Sequence, residues 1–517
     1  MEFLTSLFAI VETRDDIREY LGISYIKSYL NSKGFECEAK VIHKKQIEEV
    51  LDAYKEFPKV IGISLYCDNQ HLVKLFCKKI KETSKECHII VGGPQVLEFE
   101  RDILERIPEV DSVCTGEGEE TICEVVRRLK NNQSLLGCLG ITYREGQNIV
   151  QNEPRNNIYD LNELPLPYRE LNPQNKKKYF YIVGSRGCLG RCSFCAEYKT
   201  GGKGVRIRDA KSIVDEIERL YFTYGVNKFH FTDPTFEDPG KEGIQRAYAI
   251  FNEVINRNLN VRFIMYTRVN IVNKLDDEYY DLAYKAGVES YFIGVEAGNE
   301  KDLKLYSKGI NLKAIQNAIE KLKRHNIYVN YGFICFNPYS TYETLQANLD
   351  FLQKSGLCYN SQHVLSRFEI MPQSRMKEKL IEDKLLDEFH FDSNIFSYRW
   401  QHEEIGQLYE ALVEAIDNTH LIDHDCQIAI DRIYYEKNYP DFYEERLRPI
   451  FDEIDILWNK RNTYMYHFFS KAIQLHRLHG DDETFRTYIK SNIIHQYDSN
   501  IKKKFYKYTK LCLDMSK

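Results

Sequence analysis

The sequence of 517 residues predicts an α/β protein with three domains. Residues 1–150 and 179–375 each alternate short apolar runs, rich in β-branched residues, with helical patterns, as in parallel sheets covered by helices. We therefore expect a doubly wound N-terminal domain followed by a partial (βα)6 barrel. Residues 151–178 between them are rich in proline and predict a linker. In residues 376–517 long helical patterns replace the strand signals, which predicts a helical C-terminal domain.

The N-terminal domain contains five strand candidates, residues 1–10, 37–42, 59–66, 87–93 and 112–116. Ligands of doubly wound sheets lie outside the carboxyl ends of the strands. Two of these ends carry glycines, at Gly92 and Gly93 and at Gly116 and Gly118. Because glycine lacks a Cβ, these positions allow the backbone to approach a large flat ligand.

The barrel contains six strand candidates, residues 179–185, 228–233, 262–267, 290–296, 328–336 and 363–371. Helical patterns separate them. One of these patterns places Ile213, Val214, Ile217 and Leu220 on one face and ends at Gly225. In such barrels the chemistry takes place at the carboxyl ends of the strands.

The composition narrows the possible partners. The chain is 43% hydrophobic and 29% charged, with a net charge of −6 and a pI of about 6.2, so no nucleic-acid partner is expected. It lacks an apolar stretch of about 18 residues, so no membrane span is predicted. Its apolar start has no basic region or cleavage site of a signal peptide. The 14 irregularly spaced cysteines favour a reduced, cytoplasmic protein over a disulfide framework.

A cysteine motif directly follows the first strand of the barrel: Cys188-Leu-Gly-Arg-Cys192-Ser-Phe-Cys195. Its three thiolates can face one small object, because Gly187 and Gly190 allow a tight loop. Iron–sulfur clusters are held by thiolates, and three local ligands would leave one iron of a cubic cluster open. A zinc site would usually need a fourth Cys or His nearby, and isolated cysteines can simply fill a core. The spacing and the position at a strand end favour the cluster.

With Phe194 before its last cysteine, this CxxxCxxC motif in a partial barrel resembles that of the radical SAM superfamily, over residues 179–371. The resemblance implies that Cys188, Cys192 and Cys195 bind a [4Fe–4S] cluster and that S-adenosylmethionine (SAM) chelates its open iron. It further implies reductive cleavage of SAM to a 5′-deoxyadenosyl radical. The electron would come from a donor such as flavodoxin or ferredoxin.

The same resemblance implies that further residues bind the cofactors. Phe194 is expected to lie beside these cofactors. Asp233 is similar to a position that receives the SAM amino group, and Arg268 and Glu296 resemble positions that contact its carboxylate and ribose. Cys335 stands where many relatives have a glycine near the adenine. An ordinary ion-pair network at the top of the barrel is the alternative for the charged residues.

The first domain resembles the cobalamin-binding domain that often precedes a radical SAM barrel. The similar segments are IGISLY, IIVGGPQ and VDSVCTGEGEETICEVV. The resemblance implies cobalamin beside Gly92, Gly93, Gly116 and Gly118, without the lower histidine ligand of a DxHxxG motif. The alternative is a flavodoxin-like domain with no ligand. A separate pair, His420 and His424, lies one helical turn apart, but surface or core histidines explain it better than a metal site.

The leading hypothesis is a cobalamin-dependent radical SAM enzyme that methylates an unactivated carbon of a peptide or natural-product substrate. A cobalamin-linked cyclase or rearrangement enzyme is an alternative, because the same architecture supports it. A methylthiotransferase would carry three cysteines in its N-terminal domain and usually a small C-terminal β-barrel, which this sequence does not predict. A binding protein without activity is disfavoured by the intact cysteine triplet. The C-terminal domain, with Trp400 and Trp458, is expected to cover the barrel mouth and shape a substrate pocket.

Overall fold

The computed structural model describes residues 3–12, 19–54, 56–66, 69–170, 179–202, 204–358, 361–390, 395–417 and 448–491. The His420 and His424 pair, the last predicted helix and the end of the linker lie outside these ranges. The side chain of Trp458 lies outside the description as well.

Seven strands form the sheet of the N-terminal domain: β1 (Thr5–Val11), β2 (Cys37–His43), β3 (Val60–Ser64), β4 (His88–Gly92), β5 (Ser112–Cys114), β6 (Ile141–Glu145) and β7 (Asn148–Gln151). Their order is β2-β1-β3-β4-β5-β6-β7. The first five strands are parallel and correspond to the five predicted ones. The antiparallel hairpin β6–β7 at the edge was not predicted from the sequence. Its second strand has no fully buried residue, so it lacks the apolar run that marks the other strands.

Helices cover both faces of this sheet: α1 (Leu21–Ser32), α2 (Ile47–Asp52), α3 (Gln70–Thr83), α4 (Glu100–Arg106) and α5 (Gly118–Lys130). Strand β1 shows the consequence, because all seven of its residues are buried. Leu7 and Ala9 belong to a core with α1 and α5, whereas Phe8 and Ile10 belong to a core with α3 and α4. This is the two-sided burial that continuous apolar strands predict.

Five parallel strands form the barrel sheet: β8 (Phe180–Ile182), β11 (Lys228–Phe231), β12 (Arg262–Thr267), β13 (Val288–Glu296) and β14 (Tyr328–Phe333). Their order is β14-β13-β12-β11-β8. Two short antiparallel strands flank the cysteine loop, β9 (Ser185–Arg186) and β10 (Arg206–Ile207).

The described residues of this domain and the segment that follows it form ten helices: α6 (Glu197–Thr200), α7 (Ala210–Tyr224), α8 (Gly240–Asn256), α9 (Val269–Lys274), α10 (Asp277–Lys285), α11 (Glu300–Leu305), α12 (Leu312–Arg324), α13 (Tyr342–Lys354), α14 (Ser361–Val364) and α15 (Arg375–Glu382). Helix α7 stops at Gly225, whose φ is 66°, as its sequence pattern predicts.

The sixth predicted barrel strand, residues 363–371, is not a regular strand. It pairs with the sheet through one bridge, in which Phe336 exchanges backbone hydrogen bonds with Ser366 and Phe368. The Ser366 hydroxyl accepts the Cys335 N–H at 2.9 Å, so a side chain replaces a backbone partner there. Pro338, further along, has no N–H to extend the pairing. The sequence therefore predicted one regular strand too many.

The described part of the C-terminal region contains a hairpin and three helices: β15 (Leu386–His390), β16 (Ile395–Tyr398), α16 (Glu403–Asp417), α17 (Arg448–His479) and α18 (Glu483–Ser491). The hairpin corrects the prediction that strands stop after residue 375. Helix α17 packs on α13 of the barrel, where the Tyr466 hydroxyl donates to Asp350 at 2.9 Å. Among the described helices, none combines the length and the apolar character needed to cross a membrane.

The described part of the linker packs tightly between the first two domains. Arg169 is 5% exposed. Its guanidinium donates to Glu19 of the N-terminal domain at 2.9 Å and to Glu216 of helix α7 at 2.5 Å. Arg208 donates to the other oxygen of Glu216 at 2.7 Å. A buried ion network thus joins the N-terminal domain, the linker and the barrel.

Candidate active site

A cavity of about 600 Å³ opens where the carboxyl ends of the two parallel sheets face each other. Its volume lies in the range typical of small-molecule sites. Both domains contribute to its wall, including Tyr66, Gly93 and Gly116 from the first and Tyr181, Arg186 and Thr232 from the second. A ligand in this cavity would therefore contact both domains.

The glycines at the first sheet's edge divide into two groups. Gly93 and Gly116 line the cavity and have φ values of 120° and 77°. A Cβ at Gly116 would meet no protein atom within 4 Å, so it would project into open space. In contrast, a Cβ at Gly92 would lie 3.5 Å from the Cβ of Cys114, and one at Gly118 would lie 2.7 Å from Ile26. The geometry therefore leaves open space for a large ligand at Gly116. Gly93 also lines the cavity, but a Cβ there would lie 2.6 Å from the carbonyl oxygen of Leu65, so its Cβ position, like those of Gly92 and Gly118, is against protein.

Charged side chains from both domains meet at the rim of this cavity. Arg186 donates to Glu117 at 2.8 Å and to Glu119 at 2.6 Å, and Arg206 donates to Glu117 at 2.9 Å. Arg186 and Arg206 lie on β9 and β10, which flank the cysteine loop. These ion pairs attach the cysteine loop to the N-terminal domain.

The cysteine loop is anchored at its centre by Ser193, which is 7% exposed. The Ser193 N–H donates to the carbonyl of Tyr306 at 2.9 Å, and its hydroxyl donates to the carbonyl of Leu305 at 2.7 Å. Its carbonyl accepts the N–H of Met376 at 2.8 Å. The loop is thus attached to the ends of α11 and α15.

Two of the three thiols accept backbone hydrogen bonds. The Gly190 N–H donates to Cys188 Sγ at 3.2 Å, and the Glu197 N–H donates to Cys195 Sγ at 3.4 Å. Burial raises the pKa of Cys195 to about 11 and also raises the pKa of Cys188. The thiolate forms therefore need a compensating positive charge, which iron ions would supply. The donor set fits the expected cluster.

Within the described residues, no three His, Cys, Asp or Glu side chains are arranged around a single metal ion. In a cubic cluster each cysteine binds a different iron, so its ligands stand further apart than those of one zinc ion. Cys188, Cys192 and Cys195 are nevertheless close enough to affect one another electrostatically, because each of the other two thiols contributes to the raised pKa of Cys195.

Asp233 lies inside the protein. It is fully buried, accepts the Gly184 N–H at 2.8 Å and pairs with Arg246 at 3.0 Å. Its neighbours Thr232 and Pro234 line the cavity instead. This geometry therefore does not support direct contact between Asp233 and SAM. It matches the alternative, in which Asp233 belongs to an ion-pair network at the top of the barrel.

Arg268 lies beside the cysteine loop. Its guanidinium donates to Asp238 Oδ1 at 2.6 Å, and a Cβ at Gly190 would lie 3.9 Å from its Nη1. Within the described residues, the Arg268 Nε is buried without a hydrogen-bond partner. Buried polar atoms normally have partners, so this guanidinium has unused capacity for a polar ligand.

Glu296 ends strand β13 with a φ of 66°, a value that non-glycine residues rarely adopt. Its Oε1 accepts a hydrogen bond from Lys308 at 3.2 Å. A Cβ at Gly294 would lie 2.5 Å from both Glu296 Oε1 and the Lys308 Nζ, and one at Gly332 would lie 2.9 Å from Glu296 Oε2. Strained backbone and glycine neighbours thus hold this carboxylate at the barrel mouth.

Phe194 packs edge-on against Tyr306, with ring centroids 5.7 Å apart, and Lys308 Nζ lies 5.9 Å from its ring centre. It also lines a second cavity of about 440 Å³ together with Cys195. Pro94 and Leu97 border both cavities, so the two adjoin each other next to the cysteine loop.

Sequence analysis did not identify several residues that the structure brings to the site, namely Glu117, Arg186, Arg206 and Lys308. Two of them had a local signal: Glu117 lies in the GEGEE segment, and Arg186 lies two residues before Cys188. For Lys308, which lies 12 residues after Glu296, no local pattern indicates the contact.

Family comparisons agree with this architecture. The B12 binding domain model matches residues 9–126. The Radical SAM superfamily model matches residues 182–352, which include the three cysteines.

Two curated relatives are similar over long stretches. The uncharacterized methyltransferase PH0819 of Pyrococcus horikoshii is 25% identical over 376 residues, which cover 71% of this chain and 79% of that protein. The anaerobic magnesium-protoporphyrin IX monomethyl ester cyclase of Synechocystis is 30% identical over 257 residues, covering 48% of this chain and 50% of that protein.

The solved structure of the cobalamin-dependent S-adenosylmethionine radical enzyme OxsB, with aqua-cobalamin and S-adenosylmethionine bound, has the same fold. The TM-score is 0.76 at 18% identity, and the match covers 99% of this chain and 84% of that one. The chain thus contains a B12-binding domain over residues 9–126 and, after it, a radical SAM domain over residues 182–352, in the order that the sequence predicted.

Proposed function

We propose that this protein binds cobalamin in the 600 Å³ cavity and methylates an unactivated carbon of a peptide or small-molecule substrate. The position of that cavity is the main support. It lies between the B12-binding domain and the barrel, with Gly93 and Gly116 on one side and the segment before the cysteine loop on the other. A ligand held there would lie next to the second cavity, beside Phe194 and Cys195.

Each cofactor has residues suited to hold it. Cys188, Cys192 and Cys195 would hold the [4Fe–4S] cluster. Arg268 and Glu296 at their strand ends would contact SAM, with Lys308 as an additional partner of Glu296. When bound, these cofactors supply reductive cleavage of SAM and, through the corrin, a transferable methyl group. The chain contributes binding, orientation and exclusion of water.

The reaction type has support from the similar proteins. PH0819 bears the name of a methyltransferase, which favours methyl transfer. The cyclase from Synechocystis favours the alternative, a radical cyclisation, but this chain spans only half of that protein. The two reactions differ in product, because methylation adds the mass of a methyl group in place of hydrogen and cyclisation adds none.

An electron donor such as flavodoxin or ferredoxin completes the proposed system, because a radical SAM enzyme needs a reductant. A cytoplasmic location fits this requirement, and every described cysteine is a free thiol.

The test uses full-length protein purified without oxygen from cobalamin-fed cells. It should retain a corrinoid through gel filtration, with the base-off spectrum expected in the absence of a DxHxxG motif. With SAM and a reductant it should form 5′-deoxyadenosine, the product of reductive cleavage. It should also form S-adenosylhomocysteine, because SAM becomes this compound when it loses its methyl group.

Corrinoid-free protein should still form 5′-deoxyadenosine but no S-adenosylhomocysteine. Protein that carries no corrinoid, or forms both products equally well without it, would contradict the proposal. Formation of 5′-deoxyadenosine alone by the corrinoid-loaded protein would favour the cyclase alternative.

A further inference from the structure

The cysteine loop has an outer side that faces solvent. On its inner side, Cys195 lines the second cavity. Leu189 and Arg191 line neither of the two cavities, and both are exposed, Leu189 to 47%. Each of them is adjacent in the chain to another cysteine of the loop, Cys188 or Cys192. A protein bound to this outer side would therefore lie next to the cluster ligands.

Two further cations border this outer side. Arg375, at the start of α15, donates a hydrogen bond to the carbonyl of Arg191. Lys304 directly precedes Leu305, whose carbonyl accepts the Ser193 hydroxyl at 2.7 Å. The side chains of Arg375 and Lys304 are both exposed. We call this surface the basic face, and its residues are Leu189, Arg191, Lys304 and Arg375.

The charges of the basic face are not neutralised. Within the part of the chain that the structure describes, none of its three cations forms an ion pair with an Asp or Glu side chain. The next charges on α15 cancel in pairs instead, Lys377 with Glu98 at 2.8 Å and Glu378 with Lys199 at 3.3 Å. The chain as a whole has a net charge of −6. A local excess of positive charge around an exposed leucine on such a chain favours an acidic protein as the partner.

We infer that the basic face docks an acidic one-electron carrier protein. This inference rests on the proposed function, because the cluster would receive its electron from a donor. One electron passes from the reduced carrier to the cluster, so the carrier is oxidised and the cluster is reduced by one electron, and no bond forms or breaks. Since the cofactors would occupy the cavities on the inner side, a carrier approaches from the outer side. A small surface suits this partner, because electron-transfer complexes are weak and bury little area.

The first test measures binding itself. Oxidised flavodoxin and, separately, ferredoxin, which are both acidic one-electron carriers, are titrated into the full-length, cluster-loaded protein in a calorimeter. At least one carrier should bind saturably, and its Kd should rise with the salt concentration, because salt screens exposed charges. Arg191→Glu and Lys304→Glu should each weaken this binding by about tenfold or more, since each places a negative charge against an acidic partner.

Arg219→Glu and Lys285→Glu are the matched controls, because they make the same changes of charge at exposed positions. Arg219 lies towards the end of α7 and Lys285 at the end of α10, and a barrel strand begins shortly after each helix. Both positions therefore lie near the amino ends of the strands, at the opposite end of the barrel from the cysteine loop. The two control variants should bind the carrier as the parent does. Parent-like binding by Arg191→Glu and Lys304→Glu, or no saturable binding of either carrier, would overturn the inference.

A second measurement separates this inference from the proposed function. Dithionite is a small reductant that needs no docking surface. With dithionite, Lys304→Glu should therefore form 5′-deoxyadenosine at the parent's rate, whereas with the reduced carrier its KM for the carrier should rise. Loss of the dithionite-driven cleavage in Lys304→Glu would assign this residue to the surroundings of the cluster and contradict the docking role. Absence of dithionite-driven cleavage in a parent protein that still binds the carrier would instead contradict the proposed function.

Discussion

The thiols of the cysteine loop show how single residues are prepared for a cluster. Backbone N–H groups already point at Cys188 and Cys195, and Ser193 fixes the loop between them. Changing Cys188, Cys192 and Cys195 together to Ala should remove both the iron and the cleavage of SAM, because the loop then offers no thiolate. Reconstituted parent protein should bind about four irons per chain, measured by iron analysis and by the thiolate-to-iron absorption band.

The control for this prediction is Cys123→Ala. Cys123 is a half-buried free thiol on helix α5, away from the loop, so its loss should leave the iron content unchanged. A triple variant that keeps its iron and its absorption band would place the cluster elsewhere in the chain.

Among the individual site residues, sequence position predicted the location of several, while their roles in cofactor binding stay predictions. Phe194, Arg268 and Glu296 lie around the cysteine loop or the barrel mouth in the structure. Asp233 lies two residues after the end of β11, and its side chain points inward to Arg246. The alternation of side chains at a strand end decides this direction, and a one-residue difference in register reverses it.

The two loops after β4 and β5 shape the large cavity through their backbone conformation. Gly93→Val or Gly116→Val should expel the corrinoid, because a β-branched side chain disfavours positive φ at both positions, and at Gly116 it would also project into the open space of the cavity. At Gly93 the new Cβ would further lie 2.6 Å from the carbonyl oxygen of Leu65. Corrinoid absorbance retained after gel filtration measures the effect.

Gly137→Val provides a matched comparison. Its φ is 76°, against 77° at Gly116, and a Cβ there also meets nothing within 4 Å, but it does not line the cavity. It should therefore bear the same backbone strain and keep the corrinoid. Equal loss of the corrinoid in both variants would mean that strain, and not a ligand site at Gly116, explains the result.

Elements with strong local signals were predicted well. The five parallel strands of the first sheet and helix α7 follow from apolar runs and from a stop at Gly225. The hairpins β6–β7 and β15–β16 were missed because their strands are only four or five residues long, and β7 has no fully buried residue. The sixth barrel strand was predicted from its apolar residues, but a serine side chain takes over one backbone hydrogen bond there.

The arrangement of the first two domains depends on the buried network around Arg169. Arg169→Met should destabilise the protein by about 3–5 kcal/mol, because it leaves Glu19 and one oxygen of Glu216 buried without that partner. A lower urea midpoint of unfolding would show this. Lys211→Met removes an exposed pair with Asp215 on the same helix and should change the midpoint little. Equal midpoints for parent and Arg169→Met would contradict the prediction.

This network also predicts a pH dependence. Burial alone would raise the pKa of Glu216, but Arg169 and Arg208 outweigh it and lower the pKa below its usual value of 4.5. Because the folded pKa lies below the unfolded one, the stabilisation is present above pH 4.5 and is lost as the pH falls through the folded value. The difference between parent and Arg169→Met should therefore shrink in acid. A difference that grows below pH 4 would contradict this explanation.

The sequence by itself indicated the B12-binding and radical SAM domains and their order, and it predicted the three cysteines, Gly93 and Gly116 as site residues. These features depend on local spacing, on strand ends or on backbone conformations that few residues adopt. Local order along the chain is enough to encode them.

Only the tertiary structure decided which distant side chains meet. Arg186 pairs with Glu117 across 69 residues, and Tyr398 holds Arg367 across 31. Such contacts arise when separately formed sheets and helices pack together, and neither partner carries a local pattern that indicates the other. Packing between the domains therefore set the shape of the large cavity and the charged wall of the second cavity. No short stretch of sequence contains this information, because it depends on contacts between residues that are far apart in the chain.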